Sequence, residues 1–465
     1  MPGSTASGRA QRARKQARRA SPMGSHHPHM GPHHPDMGAR LPRKGLRSPR
    51  AGLARPRVAL ARPRVGLALA GGGPLGGIYE VGALLALTDS LEGVDFCELD
   101  VYVGVSSGSF VAAALANGIS PAQMYRLFID DGADAALTPE IFLRPALSEF
   151  AHRMALLPWL AVRAALQALR DPFRQGVMES LATLSHAVPT GMFDNRSIDR
   201  FLQHLFSASG RTNDFRALDR KLFLVATNLD SGASVTFGAP GRDDVPISKA
   251  IEASAALPGL FPPVRIGGEY FVDGALNKTL HASVALDEGV DLLLCVNPLV
   301  PFDASGATKN GRTTVDKLSH GGLPVVLSQT FRAIIHSRMK VGMDKYHREY
   351  PDADIVLFEP DREDADMFFA SIFSYAQRKR LCAAAYQKTR QALAERADAL
   401  AAQFARHGVT LRTDRLTDST RTIVDALTDP RPLNVGQGRK GSVRRTTRDL
   451  AYTLDHLERW LAAAR

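Results

Sequence analysis

The sequence predicts an α/β protein whose parallel sheet is covered by helices. Val65-Gly-Leu-Ala-Leu69 and Val101-Tyr-Val103 are short apolar runs, each followed by a glycine-rich turn and a helix-like segment, 78–87 and 110–115. Strand, turn, helix and strand again is the βαβ rhythm from which parallel sheets are built. Further strand-like runs follow at 221–227, 269–273, 291–296 and 355–358, with the alternating Ala233-Ser-Val-Thr-Phe237 reading as an edge strand.

Composition sets the limits within which those elements work. At 465 residues and 45% hydrophobic content the chain can bury a sizeable core. Its formal charge of +11 misleads as an average, because residues 1–64 hold fifteen of the 58 Lys and Arg residues and one acid, Asp36. The remainder is close to neutral, which argues against a nucleic-acid-binding face. Three scattered cysteines, Cys97, Cys295 and Cys382, suit neither a disulfide framework nor a zinc site and point to a reducing, cytoplasmic setting. No run of about 18 apolar residues marks a membrane span.

Three regions follow from these patterns. Residues 1–64, rich in Arg, Pro, Gly and His, lack apolar periodicity and read as a disordered basic tail; its cluster His26, His27, His29, His33 and His34 reads as solvated. Residues 65–408 read as the α/β domain, with a helical insertion or lid at about 121–185, a polar loop near 303–320, a helix from about Pro324 to Lys345 and one or two helices across 371–406. Residues 409–465 form an extension with a basic linker (Arg439, Lys440, Arg444, Arg445, Arg448) and a helix carrying Leu450, Leu454, Leu457 and Leu461 on one face. That helix docks on the domain or, with its basic flank, makes a peripheral contact with anionic lipid.

The chemistry concentrates in the two turns. Gly104-Val-Ser-Ser-Gly108 sits between a strand and a helix, the context of a nucleophile elbow, and makes Ser106 the candidate nucleophile. A serine hydroxyl needs a base within hydrogen-bond reach and donors for the oxyanion it creates. The N–H of Ser107 is one candidate donor, and the loop Gly71-Gly72-Gly73-Pro74-Leu75-Gly76 offers others. The same loop satisfies a dinucleotide fingerprint, with Asp95 and Glu98 suitably downstream, but a nucleotide-binding unit has no use for the second elbow. Asp273, at the end of a strand-like run and followed by Gly274, is either a base or a turn residue; His281, His320, His336 and His347 are the histidines that a triad would draw on.

Taken in order, Gly71–Gly76, Gly104–Gly108, Ala253-Ser-Ala-Ala-Leu-Pro-Gly-Leu-Phe-Pro-Pro263 and Asp273-Gly274-Ala275 resemble the patatin-like phospholipases over about residues 65–400. The resemblance implies a three-layer α/β/α sandwich with a mostly parallel central sheet and a Ser-Asp dyad of Ser106 and Asp273. It implies hydrolysis of acyl esters of phospholipids and other lipids through an acyl-enzyme, with no cofactor and no metal in the chemical step. Gly71, Gly72, Gly73 and Ser107 then become the oxyanion group, and Gly76, Gly104, Gly108 and Gly274 support the motifs. Two positions depart from the family: Leu75 stands where its loops usually carry Arg or Lys, and Leu276-Asn-Lys-Thr279 replaces an Asn-Asn and proline pattern. Acyl transfer to an alcohol and a catalytically idle lipid-binding protein of the same fold remain alternatives. Head group, acyl chain and oligomeric state are not encoded in any motif.

Overall fold

The computed structural model describes residues 62–130, 154–163, 166, 190–315, 317–369 and 377–427. All but residues 62–64 of the expected basic tail, most of the helical insertion, and the C-terminal linker and helix lie outside the described residues.

Strand β1 (Val65–Leu69) is buried along its whole length, as a central strand covered on both faces must be. After β1 come β2 (Leu91–Glu92), β3 (Val101–Val105), β4 (Lys221–Asn228), β5 (Ser234–Phe237), β6 (Val264–Ile266), β7 (Glu269–Asp273), β8 (Leu292–Val296), β9 (Asp354–Phe358) and β10 (Thr410–Leu411). The main sheet runs β6-β7-β4-β3-β1-β8-β9, with β5 also pairing β4. Pairing is parallel from β4 through β9 and antiparallel where β4 meets β5 and β7 and where β7 meets β6. This is the mostly parallel sheet the sequence predicts, lengthened on one side by an antiparallel extension.

Alternation along the strands sorts the core into two layers. Leu67, Leu69, Tyr102, Leu224 and Leu294 face helix α1 (Gly73–Ser90), helix α2 (Ser107–Ala116) and the helix Arg378–Glu395. Ala68, Val103, Val105, Val225 and Cys295 face the other way, toward the helix Ala282–Asp287 and Tyr346 of the helix Gly322–Glu349. Small side chains let α1 approach its neighbour closely: a β-carbon on Gly82 would stand 2.4 Å from the Cys382 carbonyl oxygen.

The chain leaves β1 toward β3 and β4 and later returns to β8 and β9 on the opposite side of β1. The loops after β1 and β8 therefore diverge, and they open a crevice at the carboxyl ends of the central strands, where α/β sheets place ligands. Pro298, just past β8, packs into that crevice against Gly72 and Gly76.

Two boundaries differ from the sequence reading. Part of the polar stretch near 303–320 is helical, because Asp303 caps the helix Ala304–Lys309 by accepting from the Gly306 N–H at 2.9 Å. Contacts to the domain also continue past residue 408: β10 pairs with β2, and the Arg421 guanidinium donates to the buried Asp89 carboxylate at 2.7 Å. These long-range partners leave no trace in local periodicity.

Candidate active site

Ser106 stands where β3 gives way to α2. Its φ of 53° lies in the left-handed region, at a cost of about 1–3 kcal/mol for a residue with a side chain. Three hydrogen bonds hold it there. The Ser106 N–H donates to Ser254 Oγ at 2.9 Å, and Ser254 Oγ donates onward to the Val225 carbonyl at 2.6 Å. On the other side, the Ser109 hydroxyl donates to the Ser106 carbonyl. The flanking glycines are there for backbone approach: a β-carbon on Gly108 would stand 2.5 Å from the Leu69 carbonyl oxygen, and one on Gly104 would stand 2.5 Å from that of Gly108. The Gly-x-Ser-x-Gly spacing is thus a requirement of the crossing between the β1 and β3 turns.

Asp273 reaches Ser106 by register. Strand β3 pairs Val105 with Val225, so the next residue, Ser106, falls at the level of Ala226, and β4 pairs Ala226 with Asp273. Because β7 is antiparallel to β4, the rule that ligands gather beyond the ends of parallel strands does not explain Asp273; its position across β4 does. Gly274 permits the turn that follows, since a β-carbon there would stand 2.2 Å from the Val225 carbonyl oxygen.

Both side chains are buried, and the Ser106 hydroxyl stands close enough to the Asp273 carboxylate to favour its ionised form. Burial pushes the carboxyl up to about 6, while that hydroxyl and the Ala275 N–H, which donates to Oδ1 at 2.8 Å, pull against the shift. A base poised in this range is ionised at neutral pH and retains an appetite for a proton. His281 is also buried beside this turn, with Nε2 3.5 Å from the Gly274 carbonyl oxygen, and burial drives its pKa down to about 4. It is a neutral neighbour of the turn. His336 lies 3.8 Å from Glu359, and His347 bonds the Met343 carbonyl on its own helix.

The glycine loop supplies the opposite wall. Gly71 touches the nucleophile directly, for a β-carbon there would stand 2.9 Å from Ser106 Cβ and 3.0 Å from Ala275 Cβ. Gly72 is the N-cap of α1, and Gly73, at φ 62°, begins the helix with no atom within 4 Å of where its β-carbon would be. The loop therefore turns a bare backbone toward open space. Gly76 lies against Pro298 and Ser107 Oγ. Ser107 opens α2 with Ser106 as its N-cap, so two helix N-termini meet at the serine. First-turn N–H groups have no acceptor within their own helix, and the dipoles favour negative charge there. Leu75 is buried in the main core, so its side chain is spent on packing.

Sequence reasoning missed Ser254, the Ala275 N–H and Pro298. Only Ser254 left a signal: a hydroxyl at the end of the small-residue helix Ile247–Ser254, just before Ala255-Ala256. Among the described residues, no group of three or more His, Cys, Asp or Glu could hold a metal ion.

The fold is thus α/β, with a strained serine on a strand-to-helix turn, a buried aspartate level with it across β4, and two helix N-termini facing it. Residues 67–286 match the family model of the patatin-like phospholipases, and the mostly parallel sheet flanked by helices is the patatin fold. Among solved structures, the chain is similar to VipD from Legionella pneumophila at 15% identity, covering 69% of this chain and 66% of that one with a TM-score of 0.30. It is similar to the type III effector protein ExoU at 16% identity, covering 70% and 52% with a TM-score of 0.29. A further likeness is to full-length ExoU in complex with SpcU from Pseudomonas aeruginosa, at 18% identity, 61% and 53% coverage and a TM-score of 0.23. The chain thus spans about two thirds of VipD and about half of ExoU.

Proposed function

We propose that the protein is a lipid acyl hydrolase acting through a covalent acyl-enzyme on Ser106. The observation that carries this reading is the register that sets Ser106 level with the buried carboxylate of Asp273 across β4, where burial raises the carboxyl pKa to about 6. Asp273 takes the hydroxyl proton as Oγ attacks the ester carbonyl. The oxyanion so formed is held by the N–H groups of Gly72, Gly73 and Ser107, with Gly71 keeping the loop against the nucleophile. When the intermediate collapses, the C–O bond to the alcohol breaks and Asp273 returns the proton to that oxygen. Water then attacks the acyl-enzyme, gives a proton to Asp273, and releases the fatty acid as the serine recovers its proton.

With Leu75 in the core, oxyanion stabilisation falls to backbone N–H groups and the two helix ends. Each such donor contributes about 10²–10³ in rate. The family match supports a lipid ester as the substrate class. The test is mass-spectrometric product analysis after incubation with mixed phospholipids, neutral glycerides and simple esters, with Ser106→Ala as control. Release of free fatty acid by the wild type alone supports the reading. Absence of acyl cleavage in every class, with no labelling of Ser106 by a fluorophosphonate, would sink it.

A further inference from the structure

The helix Gly322–Glu349 runs for 28 residues, yet only Met339 and Tyr346 on it are fully buried. It lies outside residues 67–286, the span matched by the family model. At 100° per residue, Leu323, Leu327, Phe331, Ile334 and Val341 fall along one stripe, and all five are exposed, from 44% at Leu327 to 69% at Leu323. Arg338, Lys345 and Arg348 continue the same stripe and are exposed too. From Gly322 to Met343 the helix contains no acid, and its only acids are Asp344 and Glu349. The opposite face is the anchored one, with Met339 and Tyr346 buried there.

That anchoring ties the helix to the loops around the active site. Gln329 exchanges two hydrogen bonds with the Phe302 backbone, at 3.0 and 2.8 Å. Met339 Sδ accepts from Asn297, the residue before the Pro298 that packs on Gly72. Arg338 donates to the carbonyl of Leu276, three residues after Asp273, at 3.4 Å.

We propose that the outer face of this helix docks the protein on an anionic phospholipid surface. An apolar stripe about 27 Å long, from Leu323 to Val341, matches a helix lying in the plane of a bilayer interface. Arg348, and Lys345 with its partner Glu349 at 3.6 Å, sit at the end of the stripe where lipid phosphates would meet them. Pairing two copies through the same face would instead desolvate those cations with few acids to receive them. Docking here would set the substrate reservoir beside the site, so the inference deepens the acyl-hydrolase reading and rests on it for its purpose.

Binding is measured without turnover, in full-length Ser106→Ala, so a failure of the hydrolase reading leaves this test intact. The three native cysteines are buried, which lets an environment-sensitive thiol dye report from Ile334→Cys, with the exposed Ser419→Cys as the control. On vesicles of mixed phosphatidylcholine and phosphatidylglycerol, the dye at 334 should shift to the blue and the dye at 419 should not. Phe331→Glu combined with Ile334→Glu should lower partitioning onto those vesicles by about tenfold or more. Lys345→Gln with Arg348→Gln should lower it on mixed vesicles and leave pure phosphatidylcholine unaffected. Leu323→Ser with Val341→Ser serves if the double glutamate variant loses its circular dichroism. Protein that binds vesicles while the dye at 334 stays in water overturns the proposal. So does a glutamate variant that partitions as before, or one whose only change is a smaller oligomer by light scattering.

Discussion

Ser106 and Asp273 stand level with one another across β4, one on a parallel neighbour and the other on an antiparallel one, and both are buried there. In the proposed reaction no histidine is called on, because burial lifts the Asp273 carboxyl toward the range in which a base works at neutral pH. Ser106→Ala and Asp273→Asn should each lower kcat/KM on a chromogenic ester by about 10³-fold or more, as loss of a nucleophile or its base does. Circular dichroism should show both variants folded.

The raised pKa gives the pair a pH signature. Asp273 must be ionised to accept the proton, so kcat/KM should be level above pH 7 and fall by about tenfold per unit below the apparent pKa near 6. Stability moves the other way. The folded carboxyl titrates near 6 and the unfolded one near 3.8, so ionisation stabilises the unfolded chain as pH rises through that window. Asp273→Asn should therefore be inactive yet more stable than wild type at pH 8, by about 1–3 kcal/mol, with the gain vanishing below pH 3.8. Urea melts at the two pH values read this directly; equal stability at both would show that the carboxyl is not strained by burial.

Ser254 offers a test of the elbow apart from the dyad. Its hydroxyl accepts the Ser106 N–H and donates to the Val225 carbonyl, so Ser254→Ala leaves two buried backbone groups without their partner. A loss of about 1–3 kcal/mol in unfolding free energy should follow. Ser254 touches neither substrate nor proton, so the midpoint of the pH–rate profile should stay where it is while kcat falls. Ser254→Thr, which keeps the hydroxyl, should recover part of both losses if the extra methyl is accommodated.

The serine, the aspartate and the glycines were legible because each answers a local demand. Gly108 must clear the Leu69 carbonyl, Gly71 must clear Ser106 Cβ, and Ser106 must occupy a strained turn, and such demands restrict residue type at fixed spacing. The antiparallel extension was not legible, since β6 has three residues and the direction of β7 follows from pairing with β4. Register is a tertiary fact, which is why Asp273 could be singled out by motif while its route to Ser106 could not. The same holds for β10, a two-residue strand whose partner β2 lies more than 300 positions earlier in the chain.

Glu80 supplies the last prediction. It lies on α1, fully buried, and among the described residues neither carboxylate oxygen has a hydrogen-bond partner. Desolvation raises its pKa well above 4.5, so the folded state holds a proton that the unfolded state gives up as pH climbs past 4.5. The cost of Glu80 thus appears above that pH and grows until the folded group itself ionises. Glu80→Met fills a similar volume with no polar atom to satisfy, and replacing a buried charged residue in this way is often neutral or stabilising by about 1–4 kcal/mol. The variant should unfold at higher urea than wild type at pH 8 and at nearly the same urea at pH 4. A variant less stable than wild type at pH 8 would show that the Glu80 carboxyl contributes more to the fold than its desolvation costs.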